Sequence, residues 1–189
     1  MKEMSVTGLA RLLRVLVTIT FICNLLALFF VPGCVMMRGP MALLELTAYE
    51  RIWELPLRVL VVLALSWGWI WQSGSYQIVL TLFLCFCGCC TAVILWQARR
   101  VLAAILAGET FTMANAANMK RAAVCCLLIS LAALGRLVWG FTYYRSIRPL
   151  LTYNALFIPV FFMGFLLCMV MSALFRQAAE LKAENDLTI

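Results

Sequence analysis

Four thiols fall within six residues in Cys85-Phe86-Cys87-Gly88-Cys89-Cys90. Sulfur at that density suits copper(I) or zinc, and reversible thiol chemistry as well. On a helix, however, Cys85 and Cys89 share a face from which Cys87 points away. No metal-finger spacing accompanies the run, and the chain contains no histidine. Packing by small residues is the favoured reading. Cys125 and Cys126 keep a metal or redox site open, because they could face the same stripe from a neighbouring helix.

Arg136 is the second candidate, since a charge inside an apolar span is a functional-site hypothesis by default. It stands only seven residues before Tyr143, where the span ends. That is roughly 10 Å of helix, short enough for the guanidinium to snorkel to the interface. Glu45, Glu50 and Glu54 are the acids that could fold inward to pair with it. A solvated helical face is the favoured reading of those three, because paired-carboxylate catalysis needs a desolvated cleft. With no Ser-His-Asp set and no glycine-rich phosphate loop, neither catalysis nor a cofactor is expected.

What must position these residues is a membrane. Hydrophobic residues make up 66% of the chain and charged residues 12%, with a mean hydropathy of +1.03. A soluble domain of this size could not hide so much apolar surface. The net charge of +7 then reads as topology and as attraction to anionic lipid, with no direct contact to nucleic acid. The start of the chain is not read as a signal peptide, because Leu12–Val31 is about 20 residues long and suffices to span. Val31-Pro32-Gly33-Cys34 resembles a lipoprotein cleavage box, but its proline fits poorly. Cys34 is placed in a watery outer loop, while Cys168 lies within an apolar run and behaves as a small hydrophobe. A secreted-type disulfide framework is not implied.

The fold class expected is an all-α bundle of four transmembrane helices in a single domain, 1–189. The spans are approximately 12–31, 77–96, 122–143 and 156–175. A further apolar segment, 55–71, is ambiguous, and charge decides against its crossing. Four crossings leave Lys2, Arg11, Arg14, Arg99, Arg100, Lys120, Arg121, Arg176 and Lys182 inside, against Arg38, Arg51, Arg58, Arg145 and Arg148 outside. A fifth crossing would invert that bias. Segment 55–71 is therefore expected to be re-entrant or interfacial on the outer side, with Trp53, Trp67, Trp69, Trp71 and Tyr76 at headgroup depth. Both termini are expected in the cytoplasm, and the localisation is the cell inner membrane.

On the inner side, 97–121 reads as a helical hairpin, with Gly108 as a C-cap and Thr112 as an N-cap. Alanines at 103, 104, 107, 114, 116 and 117 would let its arms approach. The tail, 176–189, is expected to continue as helix to about Glu184 and to end at Asn185-Asp186. It would leave Leu187-Thr188-Ile189 and a terminal carboxylate in water. An apolar Leu-x-Ile end is not explained by a stop-transfer cluster at Arg176. A docking role, or packing against the hairpin tip at Phe111, is preferred.

The closing run FRQAAELKAENDLTI and the hairpin together carry a resemblance. The chain resembles an uncharacterised bacterial domain-of-unknown-function family of small four-span membrane proteins, strongly from about Gln77 onward and weakly before it. Phe175, Arg176, Ala178, Lys182, Glu184, Asn185, Asp186, Leu187, Thr188 and Ile189 match the family's terminal signature. Phe111, Thr112 and Asn115 match its PFTxEN-like inner motif, with Thr110 in place of the proline and Ala114 in place of the acid. Such proteins are often encoded beside a Cro-type helix-turn-helix regulator. The resemblance therefore implies a membrane partner for a transcription regulator. A non-enzymatic membrane regulator or sensor is the leading expectation. A small transporter with a site near Arg136, and an intramembrane thiol redox or metal sensor, are the alternatives. The sequence leaves oligomeric state and signal open.

Overall fold

The computed structural model describes residues 6–36, 61, 65–145 and 153–186. Four long helices make up nearly all of them: α1 (Val6–Met36), α2 (Ser75–Leu106), α3 (Met113–Tyr144) and α4 (Tyr153–Asp186). No strand occurs among the described residues. All four helices are long and apolar enough to cross a membrane. Their common cause is uniform: apolar runs of more than about 20 residues in a solvent without water must satisfy every backbone group within the segment. The all-α, four-helix expectation is met.

The chain divides into two compact units, one of Met1–Cys23 with Cys89–Ile189 and the other of Asn24–Gly88. In the first, α3 packs chiefly against α4. Its buried residues include Asn115, Asn118, Ala122, Cys126, Ile129 and Ala133, which recur three or four apart and so form one continuous seam. Small side chains along the seam let α4 approach closely, as they do between membrane helices generally. Gly164 of α4 lies against the Cys126 Sγ, which a Cβ there would meet at 3.7 Å. Two hydroxyls pin the pair: Ser130 Oγ donates to the Ile158 carbonyl at 3.0 Å, and Ser172 Oγ to the Ala116 carbonyl at 2.8 Å. These contacts run α3 and α4 antiparallel. The Phe21 and Trp96 rings, 5.9 Å apart, join α1 to α2. Within this unit the start of α1 and the end of α4 come to the same side as the α2–α3 turn.

In the second unit α1 and α2 approach closely at Gly88. A Cβ on Gly88 would stand 2.9 Å from the Leu28 Cγ and 3.3 Å from both of its methyls. The glycine inside the cysteine run is thus where one helix passes the other, which accords with the packing reading of that run. Replacing Gly88 by valine is expected to destabilise by about 2 kcal/mol through overpacking. Gly135→Ala, where nothing lies within 4 Å, is expected to be neutral or to stabilise by up to about 1 kcal/mol. Denaturation titrations in mixed micelles distinguish the two, and equal midpoints for both variants would refute the close approach.

One detail differs from the sequence reading. Helix α1 does not stop at Val31 but carries Pro32 inside it to Met36. Cys34 is therefore a half-buried helical residue and not part of an outer loop. A proline costs one intrahelical bond, but ending a helix in a water-poor medium would orphan several. Of the ambiguous segment 55–71, residues 65–69 are helical and pass into a 3-10 turn at Ile70–Gln72, with Ser66 and Ile70 buried and Trp67, Trp69 and Trp71 exposed. The remainder of that segment, apart from 61, lies outside the described residues, as do Glu45, Glu50 and Glu54.

Candidate functional site

The hairpin turn is built by three residues, Gly108, Thr112 and Asn115. Helix α2 ends at Leu106, and Gly108 follows with φ +81°, the left-handed conformation in which glycine ends helices without strain. Thr112 is extended (φ −131°, ψ 149°), and its hydroxyl accepts the Asn115 backbone N–H at 3.2 Å. It caps α3 as its residue type predicts. Asn115 goes further. Its side-chain amide donates to the Glu109 carbonyl at 3.1 Å and the Thr110 carbonyl at 2.9 Å, and the residue is 2% exposed. One buried amide therefore folds the turn back onto the first turn of α3.

The tip and the tail meet through aromatic rings. The Phe111 ring lies 6.2 Å from that of Phe175. Phe175 is buried in a small core with Val101 and Ala116, against which Ile105, Met119 and Met171 also pack. Three helices thus close over one another at this end. Beyond Phe175, α4 continues to Asp186, a further length of about 16 Å. Arg176 Nε donates to Glu180 Oε1 at 2.8 Å, an exposed i,i+4 pair that contributes little to stability. Glu184 follows on the same stripe. Leu181, Lys182, Glu184 and Asn185 are exposed, Leu181 at 66%. The side chain of Asp186, and the whole of Leu187, Thr188 and Ile189, lie outside the described residues.

The signature residues so divide into two kinds. Thr112, Asn115 and Phe175 are engaged in building the end of the bundle, while Phe111 shows half of its ring to solvent. Arg176, Lys182, Glu184 and Asn185 stand exposed on the helix beyond Phe175. An open groove beside them, of about 350 Å³, runs between α3 and α4 and includes Met113, Lys120, Met169 and Arg176.

The thiols meet across helices. Cys90 of α2 meets Cys125 of α3, thiol to thiol. Cys126 meets Cys168 of α4 in the same way. Cys87 is half-buried and Cys89 exposed. Cys168 had no place in the sequence motif, because only the pairing of α3 with α4 reveals it. No group of three or more potential metal ligands comes together among the described residues. Arg136 is half-buried and continues the three-and-four rhythm of the α3 seam, between Ala133 and Gly140.

Residues 56–189 match the model of a family described as Protein of unknown function (DUF2975). No curated protein matches the chain, and no solved structure does. The family match begins ahead of the 3-10 turn and takes in α2, the hairpin, α3, α4 and the tail. On that match the chain belongs to the DUF2975 family of proteins of unknown function, and it is an all-α membrane protein.

Proposed function

We propose that this is a non-enzymatic regulator or sensor of the inner membrane, with both termini cytoplasmic, whose tail helix engages a cytoplasmic protein beside the hairpin. The observation that carries the reading is the tail itself. After Phe175, α4 continues to Asp186, is exposed throughout 180–185, and holds Leu181 two-thirds exposed among charged neighbours. An apolar anchor ringed by Arg176, Glu180, Lys182 and Glu184 has the make-up of a partner-binding helix face, an apolar centre with a polar rim. The positive bias of the hairpin side supports the cytoplasmic orientation. The partner favoured by the resemblance is a helix-turn-helix transcription regulator, which the membrane protein would hold away from DNA.

Membrane co-sedimentation of that regulator, co-expressed with the full chain, tests the reading. Leu181→Glu is expected to move the regulator to the soluble fraction by about tenfold, the loss that follows from removing a moderate interface anchor. Leu181 supports no core, so the variant should retain its helicity and its unfolding midpoint. Undiminished co-sedimentation with Leu181→Glu, and with a chain truncated after Glu180, would eliminate the tail as the docking element.

A further inference from the structure

The arginines that flank the first two spans converge. In the unit formed by Met1–Cys23 and Cys89–Ile189, Arg14 lines two adjoining grooves. One contains Arg11, Val15, Thr18, Ile19 and Leu106, and the other Trp96, Arg99, Arg100 and Ala103. Arg14, Arg99 and Arg100, from two helices, thus share one groove, Arg11 joins Arg14 in the other, and among the described residues no carboxylate lines either. Span-flanking cations that serve topology alone need only lie near the interface, and nothing requires them to share a cavity.

Arg99 is held in place. Its Cζ lies 5.6 Å from the centre of the Phe21 ring and 5.7 Å from that of Trp96. Cation–π contact uses the face of the guanidinium and leaves its edge of N–H donors for an anion. A phosphate takes such a fork bidentately, and Arg14 and Arg100 line the same groove. The neighbouring wall is aliphatic. Val15 and Ile19 are 52% and 53% exposed on the apolar part of α1, one and two turns beyond Arg11. Trp96 is 49% exposed between the two environments, the position that amphipathic rings take at headgroup depth.

A cationic recess open to an apolar wall is complementary to an anionic amphiphile. We propose that Arg14, Arg99 and Arg100 form a binding site for the phosphodiester of an anionic glycerophospholipid, with an acyl chain along Val15 and Ile19. A zwitterionic choline lipid would bring its own cation against the arginines and is disfavoured. A free phosphate would gain nothing from the aliphatic wall.

Native mass spectrometry of the full chain, from dodecylmaltoside micelles titrated with phosphatidylglycerol, phosphatidylcholine or inorganic phosphate, tests the site. One phosphatidylglycerol is expected to be retained per chain, in preference to the other two. The variant Arg14→Gln/Arg99→Gln/Arg100→Gln is expected to weaken that binding roughly a hundredfold, at about fivefold for each arginine. Arg121→Gln/Arg145→Gln, which removes charge elsewhere, should leave it unchanged. Equal retention of phosphatidylcholine, equal binding of inorganic phosphate, or an equal loss in the Arg121/Arg145 variant would each overturn the proposal. The lipid comparison on the unaltered chain stands even where the triple variant does not fold.

Discussion

Asn115→Asp is expected to destabilise the protein by about 3 kcal/mol near neutral pH, in a position where general rules would have it stabilise. Asn115 is the third residue of α3 after the Thr112 cap. An acid there ordinarily gains a few tenths to 1 kcal/mol from the helix dipole. In this turn the side chain is instead a donor, serving the Glu109 and Thr110 carbonyls from a position 2% exposed. A carboxylate would remove both donors and set its charge against two carbonyl oxygens. Losing a buried partner costs about 1–3 kcal/mol for each group left unsatisfied, which exceeds the dipole gain. The sign with pH follows. A protonated carboxyl can donate to one carbonyl, so the deficit should shrink as pH falls and be full when the acid is ionised. Asn115→Leu, similar in volume and without charge, should lose about 2 kcal/mol at every pH. Denaturant midpoints of the variants across pH provide the measurement, and hydrogen exchange at 109–112 should quicken in both. A stabilised Asn115→Asp would show that α3 begins as an ordinary capped helix and that the clamp contributes nothing.

Much of this end of the molecule was legible before its shape was known, and the limits were physical. The four helices were readable because a bilayer imposes length and hydrophobicity on a segment regardless of its neighbours. Gly108 and Thr112 were readable because caps are local: one needs a positive φ and the other an oxygen three residues upstream of an unpaired N–H. Asn115 drew notice only as part of a motif. Its bonds reach backward five and six residues, and that return depends on how the turn closes. Cys168 reads in the sequence only as a small hydrophobe, for a related reason. Spacing along one chain can group Cys85 to Cys90, yet which thiol meets which is settled by helix adjacency. The arginines of the first two spans were counted one by one for topology, and their convergence appeared only when α1 lay beside α2.

Phe175→Ala is expected to cost about 3 kcal/mol and to loosen the hairpin and the tail together. The ring is 8% exposed among Val101, Ala116, Ile105, Met119 and Met171. Core phenylalanine truncations cost about 3–5 kcal/mol. The lower end applies here, since the half-exposed Phe111 can settle into part of the space. Phe175→Leu should cost less than about 1.5 kcal/mol, because it keeps most of the volume. Phe111→Ala should cost less than Phe175→Ala, since 51% of Phe111 is already in solvent. The two rings should nevertheless show a coupling of about 0.5–1.5 kcal/mol in a double-mutant cycle, the range for aromatic pairs. The comparison also separates architecture from docking. If the tail recruits its partner from a scaffold that Phe175 holds, Phe175→Ala should weaken both stability and partner capture, whereas Leu181→Glu should weaken capture alone. Additive Phe111 and Phe175 losses would dissolve the link between tip and tail. Capture undisturbed by a loosened Phe175 would mean that the exposed helix acts without the hairpin beneath it.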